Sequence, residues 1–410
     1  MVEPIFAPEG LLLRNGDRLH LRANRCMDLI RLKEEFAQNF ETRGELGASV
    51  AIYHRGEPIV QLAAGFQDRA RQVLWTPQTR VLIWSATKGV TSACLLHACS
   101  RHGINLDTPV TCVWPEYGQA GKERTTFRHV LSHQAGQPAL RGAPVSILDH
   151  EAVVRALAGQ APFWEPGSRH GYHARTYGFL VDELVRRIAG GINVGRYFRQ
   201  VFGDPLDLDI WIGLPETLTG SVAPIQAPRK ARETSSDDPF YAALDDPGSL
   251  SRLAFSTPSG LPTPSSMNAP SVRAHVLASF GGIATADGLA RFYRLLCAPN
   301  EFFNAETLLA ISNPVTSGID EILKVPTAFS AGFMMDPADN RDDREARRKL
   351  RTLFGPSVRA FGQPGAGGSH AFADPEHEIS FAYVMNQMEP GLFPNEKSLR
   401  LVDAIYVHRT

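Results

Sequence analysis

Residues 81–103 read Val81-Leu-Ile-Trp-Ser85-Ala-Thr-Lys88-Gly-Val-Thr-Ser-Ala-Cys-Leu-Leu-His-Ala-Cys-Ser-Arg-His102-Gly103, and the fold of the chain turns on how they are read. From Ser85 to His102 the run is rich in Ala, Leu and small residues and has no proline. It stops at a glycine, which suits a helix with a glycine C-cap. On a helix, the spacing of three between Ser85 and Lys88 puts hydroxyl and amine on one face. A serine hydroxyl becomes a good nucleophile only when a neighbouring base takes its proton. A lysine serves as that base only if desolvation or nearby positive charge lowers its pKa from about 10.4. A helix N-terminus favours negative charge developing on the serine oxygen. Alone the spacing is weak, since Ser-x-x-Lys arises by chance roughly once in a chain of this size. Context strengthens it, because the apolar Val81-Leu-Ile-Trp84 precedes the motif and Lys88 is the only lysine with a serine three positions before it.

Working outward, residues 48–65 form two β-rich runs broken by His54-Arg55-Gly56-Glu57, a hairpin signal. A helix-like segment, 26–42, comes before them. Between about 105 and 280 the chain has Pro-rich connections, helical stretches at 126–132 and 177–189, and a polar loop region at 229–270. We read it as a mainly helical insert. Thr285 offers an N-cap to a helix running to Cys297. Two β-like runs, 370–376 and 379–386, are joined by a turn at Asp374-Pro375, and a last helix covers 395–407. The charge cluster 339–351 reads as a solvated loop or helix.

A second constellation is Trp164-Glu-Pro-Gly-Ser-Arg-His-Gly-Tyr172, a turn that delivers a tyrosine just ahead of a helix, where a phenol can relay protons. Tyr177 competes for that role, although its place in the helix pattern favours the core. A third is Gly362-Gln-Pro-Gly-Ala-Gly-Gly-Ser369, whose glycines let backbone N–H groups approach a ligand closely. It can complete an oxyanion hole with the N–H of Ser85. It is no phosphate loop, because no Lys-Ser/Thr follows and it leads into a strand. No G-x-S-x-G elbow surrounds any serine. His129 and His133 lie four apart without the glutamate of an H-E-x-x-H site, and we read them as structural.

The 410-residue length suits one core domain with an insertion. Apolar and charged fractions of 43% and 21% are those of a globular protein. A net charge of -1 and a pI near 6.9 argue against nucleic acid as a partner. The five cysteines, at 26, 94, 99, 112 and 297, include no C-x-x-C pair. They read as buried, reduced thiols, with no metal-ligand spacing. The first residues carry acid and proline where a secretory signal would carry basic residues and an apolar run, which points to the cytoplasm. No apolar stretch reaches the roughly 18 to 20 residues of a bilayer span, so no membrane partner is expected. Nothing in the sequence sets the oligomeric state, and a homo-oligomer stays open.

Taken in order, these motifs resemble the class C β-lactamases and, more closely, the family VIII carboxylesterases, from about residue 45 to the end. Besides Ser85-x-x-Lys88, the resemblance rests on Phe127-Arg-His-Val-Leu-Ser-His-Gln-Ala-Gly136, Pro166-Gly-x-x-x-x-Tyr172, Gly282-Ile-Ala-Thr-Ala and Gly365-Ala-Gly-Gly-Ser-x-x-Phe-Ala-Asp-Pro375. It implies that Ser85 is acylated while Lys88 and Tyr172 move protons. It also implies that Ala366 joins Ser85 in the oxyanion hole, with Gly365 and Gly367 as other candidates. Substrate binding falls to Gln363, Gly365, Gly367 and His173.

The sequence departs from the β-lactamase pattern twice. Tyr172-His173-Ala174 lacks the usual asparagine, and Gln363-Pro364-Gly365 stands where Lys-Thr-Gly would be. Both losses remove groups expected to hold a β-lactam, which favours small-molecule esters as substrates. The implied fold is α/β (α+β) of the β-lactamase and penicillin-binding-protein type, an antiparallel sheet flanked by helices. Residues 1–104 and 281–410 would form its core, 105–280 the helical insert, and the site would lie between them with no cofactor. The alternatives are an acyltransferase that passes the acyl group to an alcohol, a weak β-lactamase or peptidase, and a non-catalytic relative.

Overall fold

The structure is a computed structural model that describes residues 27–229, 238–338 and 352–406. The charge cluster 339–351 and Cys26 lie outside the described residues. Twelve strands occur among the described residues. They are β1 Gly47–His54, β2 Glu57–Gly65, β3 Arg80–Leu82, β4 Ile210–Ile212, β5 Val222–Ala223, β6 Gly282–Ala284, β7 Thr316–Ile319, β8 Pro326–Phe329, β9 Met334–Met335, β10 Phe361–Pro364, β11 His370–Asp374 and β12 Ile379–Met385.

Eight of them form one antiparallel sheet in the order β2-β1-β12-β11-β10-β9-β8-β7. Strands from the early and late parts of the chain pair next to the β2 edge, where Ala51 of β1 faces Ala382 of β12. The β1–β2 hairpin turns through Arg55 and Gly56, both at positive φ (53° and 83°), the geometry that matches strand twist in a two-residue turn. β11 and β12 are buried at every position, which is why they read as continuous apolar runs rather than alternating ones.

Helix Ala286–Arg294 packs on β1, β11 and β12, its start fixed by Thr285 Oγ1 accepting the Gly288 N–H at 3.1 Å. Helix Leu29–Glu41 pairs with the last helix, Glu396–Ile405. The stretch 105–280 is helical for much of its length and includes Tyr177–Ile188, packed on helix Thr87–Arg101. It also supplies β4 and β5, which the sequence reading missed because three and two residues are too short to show a period. They join β3 and β6 in a second sheet, ordered β4-β6-β3-β5, that runs directly into the Ser85 segment.

Among the described residues no helix is long and apolar enough to cross a membrane. Cys94 and Cys99 are buried and Cys297 is half-buried, whereas Cys112 is exposed, contrary to the expectation that all five would be interior. It lies in a short 3-10 turn whose inward-facing residue is Val110.

Candidate active site

The Ser85 segment is anchored from β6. The Ile83 N–H donates to the Gly282 carbonyl (2.9 Å), after which Trp84 turns the chain at φ 49°, in the left-handed region. For a bulky residue that conformation costs on the order of 1–3 kcal/mol and persists only where its surroundings enforce it. Here Thr87 Oγ1 donates to the Trp84 carbonyl (2.5 Å) and accepts the Gly282 N–H (2.8 Å). A Cβ at position 282 would come within 2.6 Å of that oxygen, so glycine is required there. Ser85 consequently sits in a 3-10 turn, Trp84–Ala86, and the α-helix expected to begin at Ser85 begins at Thr87. The tighter turn still leaves Lys88 one turn beyond the serine.

Lys88 is buried beneath Ser85. Its Nζ lies 3.3 Å from Ser85 Oγ and donates to the carbonyls of Ala174 (3.0 Å) and Ser279 (2.9 Å). Among the described residues no carboxylate pairs with it, and burial holds its pKa well below the ordinary lysine range. The two carbonyls take two N–H bonds, so an uncharged amine would turn its lone pair toward Ser85.

Tyr172 is set from the backbone. Buried Asp320 accepts its N–H with both carboxylate oxygens (3.0 and 3.1 Å) and also takes the N–H groups of Ile322 and Leu323, each at 2.8 Å. The phenol lines the same cavity as Ser85 and accepts from Gln363 Nε2 at 3.3 Å. Burial raises its pKa above the usual phenol value. Lys88 Nζ stands 4.7 Å from its ring centroid. Tyr177 points elsewhere, with its hydroxyl 2.6 Å from Ser92 Oγ in the core.

Past β10 the chain turns through Gly365-Ala366-Gly367-Gly368. Three of these N–H groups are engaged: Gly365 with the Ser369 carbonyl (2.7 Å), Gly367 with the Gly391 carbonyl (3.1 Å) and Gly368 with the Gly365 carbonyl (3.2 Å). Gly365 and Gly367 therefore have no N–H to offer a ligand, which leaves Ala366. Gly367 adopts φ 82°, and a Cβ at Gly365 would fall 2.3 Å from the Ile83 carbonyl oxygen, so both positions need glycine for conformation and close approach.

Ser85, Tyr172, Ala174, Pro364 and Ala366 line one cavity of about 220 Å³. Its other walls are largely apolar, with Trp84, Phe255, Met267, Phe280 and Phe393, and among the described residues Arg175 is the only charged one in the lining. Gln363, Gly365, Gly367 and His173, expected to bind substrate, are not in that lining. For His173 the expectation is corrected. The residue is fully buried, with Nδ1 donating to the Gly171 carbonyl (2.7 Å) and Nε2 accepting the Gln137 N–H (2.9 Å). Burial pulls its pKa down to about 3, so the ring is neutral and both nitrogens are occupied.

His133 Nδ1 accepts the His173 N–H at 3.0 Å, and His129 completes a capping box with Thr126. Among the described residues no group of three His, Cys, Asp or Glu side chains is placed to hold a metal ion. Sequence reasoning missed Asp320, the Ser279 carbonyl and Arg175. None carries a local signal, since Asp320 lies in an unremarkable Ile319-Asp320-Glu321 and a carbonyl acceptor leaves no trace in composition.

The family profile described as beta-lactamase matches residues 33–404. The esterase/beta-lactamase LipL of Mycobacterium tuberculosis is 30% identical over 372 residues, covering 86% of this chain and 80% of LipL. Among solved structures, a penicillin-binding protein homologue from Caulobacter crescentus superposes with a TM-score of 0.76 at 33% identity. It covers 92% of this chain and 96% of its own. A family VIII carboxylesterase superposes with a TM-score of 0.75 at 29% identity, with the same coverages of 92% and 96%.

Proposed function

This chain belongs to the beta-lactamase family and is an enzyme of the serine hydrolase type, and from that premise we propose that it cleaves carboxylic esters through an acyl-enzyme on Ser85. The observation that carries the reading is Lys88, a buried amine with no carboxylate partner among the described residues, held 3.3 Å from a serine that opens into a largely apolar cavity.

In this reading Ser85 Oγ attacks the ester carbonyl carbon and its proton passes to Lys88 Nζ. The carbonyl oxygen becomes an oxyanion held by the N–H groups of Ser85 and Ala366. When the intermediate collapses the C–O bond to the alcohol breaks, and the leaving alkoxide takes a proton delivered through Tyr172. Water then attacks the acyl-enzyme. Its proton goes to the same base and returns to Ser85 as the acid departs, so one ester and one water give one acid and one alcohol. Gln363 acts by donating to the Tyr172 hydroxyl, which orients the phenol and leaves it free to donate onward.

Two expected results test the assignment. Tyr172→Phe should lower kcat/KM on a neutral aryl ester by about 100-fold, the usual scale for lost acid–base help. Tyr177→Phe, which removes a hydroxyl bound to Ser92 in the core, should lower stability by about 1 kcal/mol and leave activity within a few-fold. The reverse pattern would mean that Tyr177 is the proton carrier.

The second is a pH profile. Attack needs the uncharged amine, so the rate rises as Lys88 loses its proton. Burial lowers that pKa, and the plateau should therefore be reached well before the ordinary lysine value of about 10.4. The Tyr172 phenol, moved the other way by burial, should give no alkaline limb up to about pH 10, the ordinary tyrosine value. A background-corrected rate that only begins to rise near the ordinary lysine value would remove Lys88 as the base.

A further inference from the structure

Arg175 stands between Tyr172 and helix Tyr177–Ile188 and lines the cavity beside the nucleophile. Its position is firmly set. The backbone carbonyl accepts from Ser279 Oγ (2.7 Å), and Ser279's own carbonyl accepts from Lys88. The guanidinium uses Nη1 for two carbonyls, those of Pro258 and Gly260, each at 2.8 Å. Among the described residues Nε and Nη2 have no hydrogen-bond partner, and no carboxylate lies within ion-pair range. Neither nitrogen is among the sealed, unpartnered atoms of the interior, unlike Nε of Arg199 and of Arg359.

Together Nε and Nη2 form one edge of a planar fork, the edge that takes a carboxylate through two parallel N–H···O bonds. A structural clamp on residues 258–260 accounts for Nη1 but not for Nε and Nη2, and Arg175 lines a largely apolar cavity beside the nucleophile. Partly burying a cation without a counter-charge is unfavourable, and the partial burial of Arg175 lowers its pKa. A bound anion would remove that penalty.

We infer that Arg175 is the anion-recognition residue of this site, and that the preferred substrates are esters bearing a carboxylate as well as the scissile bond. The inference rests on the ester reading above and narrows it to a substrate class.

The test uses two substrate pairs. The first, 4-butanoyloxybenzoate and its methyl ester, shares an acyl group and differs in charge on the alcohol side. The second, the mono-4-nitrophenyl ester of adipic acid and its methyl half ester, shares the alcohol and differs on the acyl side. Each kcat/KM is divided by the uncatalysed hydrolysis rate. Wild type should prefer the anionic member of at least one pair by about tenfold or more, the effect of one charge-assisted contact. Arg175→Met should bring that ratio to near one, while Arg175→Lys should keep part of it. A ratio at or below one in both pairs, or a preference that survives Arg175→Met, overturns the inference.

Because Arg175 also ties down residues 258–260, wild type alone supplies a second readout. 4-Hydroxybenzoate or monomethyl adipate should inhibit competitively more tightly than its methyl ester, and equal or weaker inhibition by both acids overturns the inference. Ser85-dependent turnover of the neutral esters without any anionic preference removes only the role of Arg175. No turnover of any of the four removes the ester reading itself.

Discussion

Ser85→Ala is expected to reduce kcat/KM on short-chain aryl esters by at least about a thousandfold, with the folded state intact. No other serine stands one helical turn ahead of a lysine, and the other groups of the site are arranged around this oxygen. Lys88 Nζ is 3.3 Å from it and Tyr172 lines the same cavity. Without the oxygen the amine and phenol have nothing to deprotonate but water, and residual rate would come only from binding and the N–H groups of the oxyanion hole. The substitution removes one atom from a half-buried side chain, and the braces on the turn, Thr87 to Trp84 and Gly282 to Thr87, do not involve it. Circular dichroism and the melting temperature should therefore match wild type. A variant that keeps a tenth of the activity would place the nucleophile elsewhere.

The second large effect is on substrate choice. Short-chain aryl esters should be cleaved with a kcat/KM higher than that of a chromogenic cephalosporin by roughly two to four orders of magnitude, since one missing charge-assisted hydrogen bond costs about 1.5–3 kcal/mol and one amide left unsatisfied about 1–3 kcal/mol. Ala174 places a methyl in the cavity lining and offers no side-chain amide. Gln363, the other departure, is buried with Nε2 donating to Tyr172 Oη at 3.3 Å, so it brings no charge to a carboxylate and stands outside the cavity lining. Arg175 does offer a cation, but from the wall that carries Tyr172 rather than from β10. Comparable values for the two substrates would show that Ala174 and Gln363 do not set this preference.

What could be read from the sequence was local. Ser85-x-x-Lys88 is a spacing of three, and the glycine-rich turn at 365–368 announces its own backbone freedom. The β1–β2 hairpin carries its turn residues, and the Thr285 cap precedes a clear helical period. What could not be read was long-range or directional. Asp320 reaches Tyr172 across 148 positions of chain, and the Ser279 carbonyl reaches Lys88 across 191. Neither leaves a mark near the residue it positions. His173 shows the directional limit, because adjacency to Tyr172 suggested substrate contact while the backbone turns its ring into the interior. The left-handed turn at Trp84 was hidden for a similar reason. It is enforced by Thr87 and by Gly282, a strand away in space and nearly 200 residues away in sequence.

The most direct test of the acyl-enzyme on Ser85 is the intact mass of the protein quenched in acid during turnover of a 4-nitrophenyl ester, followed by peptide mapping. The expected result is one added acyl group per chain, carried by the peptide that contains Ser85 and absent from Ser85→Ala. An adduct of the same mass on Ser85→Ala, or one mapped to a different residue in wild type, would contradict the account.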